Sequence, residues 1–172
     1  MFYKPAYLKI AFISLTGVLL STYVSGQGKY GARINQLLKQ MTIEEKVGQM
    51  AQITLDALGK VKPRGAADDS FQLDEAKIED AIGKYKLGSV LNASGNRAKT
   101  KEEWFAVVSK IQARALQNRL KIPIIYGIDA IHGATYTAGA TMFPQQINQS
   151  ATFNRALVKQ AAQITAYEVR AC

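Results

Sequence analysis

The sequence predicts an α/β protein built on a parallel sheet, and two observations lead to this fold class. From residue 42 onward, helical patterns alternate with short apolar runs in the order strand, helix, strand, helix, strand, loop, helix. The run Ile122–Tyr126 is apolar throughout, as in a strand that is buried on both faces. Right-handed crossovers would join such strands. Two architectures remain open on this basis, a doubly wound sheet and part of a barrel.

The N-terminus has the pattern of a secretory signal peptide. Lys4 and Lys9 precede an apolar run from Ile10 to Leu20, and small residues follow at 24–26. The run is shorter than the roughly 20 apolar residues that a permanent membrane helix needs. We predict a signal peptide at residues 1–26 and no stable membrane anchor, so the protein would be secreted or periplasmic. An uncleaved anchor is the alternative.

Length and composition limit the chain to at most one globular domain. The 172 residues are 48% hydrophobic and 20% charged, and the formal net charge is +9. The basic residues are scattered without a dense run, which argues against nucleic acid as a partner. Cys172 is the only cysteine, so an intrachain disulfide is impossible.

The first predicted elements follow a capping box. Thr42 and Glu45 have the Thr-x-x-Glu spacing that begins a helix, which we expect to run toward Gly48. Residues 49–55 read as a strand or its approach, and residues 60–72, rich in Pro, Gly, Asp and Ser, as a surface loop. A helix should begin at Asp74 and end before Gly88 as its C′ residue, and its predicted buried face is Ile78, Ile82 and Tyr85.

The second half repeats this alternation. A strand is predicted at Ser89–Asn92, and a second capping box at Thr100–Glu103 begins a helix that should end near Leu120. Trp104 lies on the apolar stripe of that helix, so we predict core packing for Trp104, and likewise for Tyr126. The strand Ile122–Tyr126 follows, and the last helix should begin at Asn154.

Polar residues follow two of the predicted strands, in the way expected of a ligand site. Asn92 ends one strand, and Asp129 follows the next in the stretch PIIYGIDAIHGATYTAGATMFP. Ligands of α/β proteins bind at the carboxyl ends of parallel strands. No Gly-x-Gly-x-x-Gly fingerprint opens a helix, which argues against a dinucleotide. From the residues alone, Asp129 could equally be a loop carboxylate that caps backbone N–H groups.

Four stretches of the chain carry a resemblance to a known family. They are RINQLLKQMTIEEKVGQMAQIT, KLGSVLN, IPIIYGIDAIHGATYTAGATMFPQQINQSATFNRALV and AAQITAYEVRA, and their most specific motifs are GIDAIHG and GATMFPQ. These stretches resemble the N-terminal domain of glycoside hydrolase family 3, which includes β-glucosidases, β-xylosidases and exo-acting β-glucan hydrolases. The resemblance covers nearly everything from Arg33 to Cys172.

The resemblance implies that residues 27–172 are the first part of a TIM-like (β/α)8 barrel, which is incomplete in this chain because such barrels take about 250 residues. It implies hydrolysis of terminal β-glycosides, such as β-linked oligosaccharides, with retention and with no metal or organic cofactor. Retention needs a carboxylate nucleophile and a carboxyl acid/base, and the family carries both at positions beyond residue 172. We therefore expect no catalytic residue here, and a fragment that is inactive alone.

Individual residues acquire roles by the same resemblance. Asp129 matches the aspartate that binds sugar hydroxyls in the −1 subsite, so we expect it to bind substrate without being the nucleophile. His132 has no second His or Cys that would complete a metal site, and we interpret it as a loop organiser. We expect Gly127, Gly133 and Gly139 to permit tight turns around the pocket. At one position the sequence departs from the family pattern, since Gln145 stands where many relatives carry histidine. We expect Glu168 to be a helix-surface or packing residue and not the acid/base, and Arg170 to be structural.

A second class of function stays open for the chain as it stands, a small sugar-binding protein without catalysis. It would retain Asp129 as its binding group. A protein with only about three barrel strands would have an unpaired sheet edge and uncovered apolar faces. Both features favour aggregation, which weighs against this alternative.

Overall fold

The computed structural model describes residues 28–60, 71–93 and 97–172. The predicted signal peptide, and most of the predicted loop at 60–72, lie outside the described residues. The chain divides into two compact units, Met1–Gln40 and Met41–Cys172. Helix α1 (Gly31–Gln40) belongs to the first unit and buries none of its residues. All other elements belong to the second unit.

Helix α2 (Ile43–Met50) begins with the predicted capping box. The Thr42 hydroxyl accepts a hydrogen bond from the Glu45 N–H at 3.2 Å, and the Glu45 carboxylate accepts from the Thr42 N–H at 3.0 Å. Arg119 binds the same carboxylate at 2.6 Å, and this hydrogen bond is the main cause that lowers the pKa of Glu45. The helix continues two residues past Gly48, where we expected it to end.

Three short parallel strands form the sheet, in the order β1-β2-β3. Strand β1 is Gln52–Thr54, β2 is Ser89–Leu91 and β3 is Ile125–Gly127. The central rung pairs residues 53, 90 and 126, and the final rung pairs 54, 91 and 127. The prediction of an α/β fold with a parallel sheet is therefore confirmed, and all three strands end at the same edge.

Strand β3 differs from the predicted buried strand at 122–126. It begins only at Ile125, because the Gln112 side chain takes both backbone groups of Ile124, at 3.0 Å to the N–H and 2.7 Å to the carbonyl. Ile124 is buried, whereas Ile125 is 71% exposed. The reason is that residue 125 lies on the face of the sheet opposite to the side chains of 53, 90 and 126, which pack in or against the core, and the described residues cover that opposite face incompletely.

The helical segment after Asp74 changes its winding. Asp74 caps helix α3 (Glu75–Ile78), and a π-helical turn follows at Glu79–Lys84. The wider turn rotates later residues, so Tyr85 is exposed and not on the buried face that we predicted. The predicted C′ glycine is also wrong, because the left-handed residue after the turn is Lys86, with φ of 57°. Ile78 and Ile82 are buried as predicted.

Helix α4 (Lys101–Leu116) carries the second predicted capping box, between Thr100 and Glu103. Arg97 donates to the Glu103 carboxylate and, with the Thr100 N–H, lowers the pKa of Glu103 to about 2. The helix ends at Leu116 and not near Leu120. Beyond it, the Asn118 side chain donates to the carbonyl of Ile82 at 2.8 Å, which ties the chain to the π-helical turn.

Two further helices complete the described fold, α5 (Gln146–Ser150) and α6 (Arg155–Ala171). Helix α6 begins as predicted, with the Asn154 side chain accepting from the Leu157 N–H at 3.1 Å. No helix of the described residues is long and apolar enough to cross a membrane. The core lies between the sheet and the helices, and its most buried members are Leu55, Leu58, Ile78, Ile82, Val90, Trp104, Ile111 and Ala115.

Candidate functional site

Asn92 and Asp129, the two polar residues predicted at strand ends, are in direct contact. The Asn92 amide nitrogen donates to Oδ2 of Asp129 at 2.8 Å, and the Asp129 backbone N–H donates to Oδ1 of Asn92 at 2.8 Å. The two hydrogen bonds run in opposite directions between the same pair of residues. They join the loops that follow β2 and β3 at the carboxyl edge of the sheet.

The backbone of Asn92 is fixed as firmly as its side chain. Its N–H donates to the Gly127 carbonyl at 2.9 Å, and its own carbonyl accepts from the Tyr126 hydroxyl at 2.7 Å. Its φ of 62° is in the left-handed region, which asparagine adopts more readily than most residues. Asn92 is thus held by four hydrogen bonds, two to its backbone and two to its side chain.

Tyr126 links this pair to the hydrophobic core. Its ring meets Trp104 edge-on with centroids 5.9 Å apart, which confirms the predicted packing role of both aromatic residues. Burial, followed by the charge of Asp56, raises the pKa of Tyr126, so its hydroxyl remains a protonated donor at physiological pH. Our sequence reasoning missed the hydrogen bond to Asn92. The available signal was the hydroxyl of Tyr126 itself, because a polar group in an otherwise apolar strand needs a hydrogen-bond partner.

The Asp129 carboxylate has one engaged oxygen and one open oxygen. Oδ2 accepts from Asn92, and within the described part of the chain no group donates to Oδ1. The residue is exposed. An ionised carboxylate accepts strong, short hydrogen bonds from hydroxyl groups. The geometry can therefore bind a polyhydroxylated molecule at the edge of the sheet.

His132 closes the loop that follows Asp129. Its Nδ1 lies 3.1 Å from the Phe143 carbonyl, and the Phe143 N–H donates to the His132 carbonyl at 2.8 Å. The second contact is a backbone hydrogen bond, and the tautomer protonated on Nδ1 makes the first one a hydrogen bond as well, with the ring as donor. They bring together two positions eleven residues apart.

Two of the three predicted turn glycines have left-handed backbones. Gly133 has φ of 84° and Gly139 has φ of 82°. A Cβ atom at Gly133 would lie 2.3 Å from the carbonyl oxygen of Thr141, whereas one at Gly139 would meet nothing within 4 Å. Gly127 does not fit the expectation, because it lies in β3 without a positive φ and contributes its carbonyl to Asn92.

Helix α6 anchors the far side of the same loop through Glu168. Its carboxylate accepts from the Thr141 N–H at 3.1 Å and from the Thr141 hydroxyl at 2.7 Å. The Cys172 thiol donates to the Glu168 carbonyl at 2.9 Å. Sequence reasoning gave Glu168 a surface or packing role and missed this contact, because its partner lies 27 residues away in an irregular segment.

Metal binding has no candidate among the residues that the structure describes. No three His, Cys, Asp or Glu side chains of that part of the chain are grouped so that they could hold an ion.

Comparisons with known proteins give a consistent result. A family model described as the glycosyl hydrolase family 3 N terminal domain matches residues 42–172. The lysosomal beta glucosidase of Dictyostelium discoideum is 33% identical over 140 residues, 77% of this chain and 16% of that protein. The periplasmic beta-glucosidase of Salmonella typhimurium is 27% identical over 137 residues, 80% of this chain and 14% of that protein. Beta-glucosidase C of Emericella nidulans is 30% identical over 143 residues, 79% of this chain and 21% of that protein. The chain thus spans less than a quarter of each relative.

Proposed function

The chain belongs to glycoside hydrolase family 3 through that family's N-terminal domain, and we propose that it is the N-terminal portion of a retaining β-glycosidase. Its substrates are oligosaccharides or glycosides from which it removes terminal β-linked glucose or xylose. Three relatives that carry the name beta-glucosidase support this assignment.

The observation that carries the proposal is the open carboxylate oxygen of Asp129 at the carboxyl edge of the sheet. Asp129 binds substrate by accepting hydrogen bonds from hydroxyl groups of the terminal sugar. Its position two residues after β3 suits this role, because the loops at the carboxyl ends of parallel strands form the active sites of barrel enzymes. Asp129 orients the ring and takes no part in bond breaking.

The three parallel strands are the first strands of a TIM-like barrel in this proposal. The nucleophile and the acid/base, which retention requires on opposite sides of the scissile bond, are carried by chain that follows residue 172. The small share of each relative that this chain spans supports that division. The described chain then supplies part of the sugar site and none of the groups that break the bond.

Export to the periplasm or the medium is part of the same proposal. The pattern of residues 1–26 supports it, with two lysines ahead of a short apolar run. Two of the relatives are named for the periplasm and the lysosome, compartments that proteins reach by export from the cytosol.

Hydrolysis of aryl β-glycosides by the full-length protein tests the function. We expect turnover of the β-glucoside or the β-xyloside, and NMR should show the β-anomer of the sugar as the first product, because two inversions retain the configuration. First release of the α-anomer would contradict the retaining mechanism. Saturable sugar binding without hydrolysis would contradict the proposed glycosidase activity and favour the alternative of a sugar-binding protein.

A further inference from the structure

We propose that Asn92 is a positioning residue for substrate, acting through Asp129. The inference rests on the proposed sugar-binding function of Asp129. Asn92 fixes which oxygen of that carboxylate faces the sugar, and it does so from a different strand.

The geometry at Asn92 requires both a donor and an acceptor in one short side chain. Oδ1 accepts from the Asp129 N–H, and Nδ2 donates to the Asp129 carboxylate, each at 2.8 Å. These partners define the orientation of the Asn92 amide. In the reversed orientation its NH₂ group would face the Asp129 N–H, donor against donor, and its oxygen would face the carboxylate, acceptor against acceptor. Aspartate has the same shape but no donor, and alanine has neither group. Asparagine is thus matched to this place by chemistry as well as by size.

Asn92 can orient Asp129 because it is itself immobilised. Its backbone extends the β2–β3 ladder by one hydrogen bond, to Gly127, and the Tyr126 hydroxyl holds its carbonyl. Asp129 lies in an exposed loop, and Asn92 is the one described residue that contacts its carboxylate by hydrogen bond. Without Asn92 the Asp129 side chain would be free to rotate about its χ1 and χ2 angles. A misplacement of about 1 Å in a binding group can cost on the order of a hundredfold in rate.

The contact between Asn92 and Oδ2 of Asp129 determines which carboxylate oxygen is available to a sugar. Because Asn92 occupies that oxygen, Oδ1 is the one left with its full set of lone pairs toward solvent. The ring hydroxyl that Asp129 recognises therefore donates to Oδ1. A sugar that lacks this hydroxyl loses the benefit of both residues at once.

The test is a double-mutant cycle in the full-length protein with Asn92→Ala, Asp129→Asn and their combination. We expect Asn92→Ala to lower kcat/KM roughly 10- to 100-fold, and to have less than about a threefold effect in the Asp129→Asn background. Its effect should also shrink on the deoxy-glycoside that lacks the recognised hydroxyl. Equal losses in both backgrounds would overturn the inference and leave the role of Asp129 intact. An Asp129→Asn variant with unchanged kcat/KM would instead reject the proposed function.

Two further variants separate positioning from general support of the fold. Asn92→Asp keeps the shape but puts a carboxylate oxygen where Nδ2 now donates, so repulsion should cost at least as much activity as Asn92→Ala. Near wild-type activity of Asn92→Asp would contradict the inference. Asn118→Ala is the matched control, since this half-buried asparagine also makes side-chain hydrogen bonds, to Ile82 and Arg114. It should lower the unfolding temperature and leave kcat/KM within about twofold.

Discussion

Replacement of Asp129 by asparagine should lower kcat/KM of the full-length protein by roughly 10- to 150-fold and leave its unfolding temperature unchanged. A hydrogen bond to a charged group contributes roughly 1.5–3 kcal/mol, and about 1.4 kcal/mol corresponds to a factor of ten. The substituted amide is isosteric and can still accept from Asn92 through its oxygen, so the loop keeps its geometry. The loss should then come from the missing negative charge at the sugar hydroxyl.

Steady-state kinetics on the preferred aryl β-glycoside measures this effect. Asp80→Asn is the matched control, because it removes one exposed carboxylate from the π-helical turn, away from the strand ends. We expect the control to retain wild-type kcat/KM. If Asp129→Asn retained it as well, the substrate-binding role of Asp129 would be wrong.

Gly133→Ala should be the most destabilising substitution in the loop, by roughly 2–5 kcal/mol. A left-handed backbone costs a residue with a Cβ about 1–2 kcal/mol. Forcing that Cβ away from the Thr141 carbonyl, 2.3 Å away, adds about 1–3 kcal/mol, as for overpacking. Thr141 is held by Glu168, so the carbonyl cannot move without loss of those hydrogen bonds.

Gly139→Ala gives the comparison for Gly133→Ala, because it has nearly the same φ and open space at its Cβ position. Thermal or chemical unfolding of both variants should show the smaller loss at Gly139, about 1–2 kcal/mol. The difference between them isolates the contact with Thr141. Equal losses would mean that this carbonyl does not constrain the loop.

Local signals in the sequence predicted much of the fold. Both capping boxes form, at Thr42 and Thr100, because their partners lie three residues away and depend little on tertiary context. The convergence of Asn92 and Asp129 at one edge followed from the parallel order of the strands, which was itself readable from the alternation of elements. Such features need only short-range chemistry or chain order.

Features that depend on distant partners could not be predicted in this way. The start of β3 is delayed by the Gln112 side chain, and the π-helical turn moves Tyr85 out of the predicted face. The Tyr126 hydroxyl and the Glu168 carboxylate bind groups 34 and 27 residues away. The hydroxyl of Tyr126 in an apolar strand indicates that a partner is needed, but the local pattern does not identify the partner of either residue, because both partners lie in irregular backbone that follows no sequence period.

The proposed function and the role of Asn92 both require that the Asp129 carboxylate, oriented by Asn92, contacts the terminal sugar. A crystal structure of the full-length protein with bound glucose tests it most directly. We expect a ring hydroxyl to donate to Oδ1 of Asp129 at about 2.5–2.7 Å, with the Asn92 amide still on Oδ2. A glucose ring bound with no hydroxyl near Asp129 would contradict the claim.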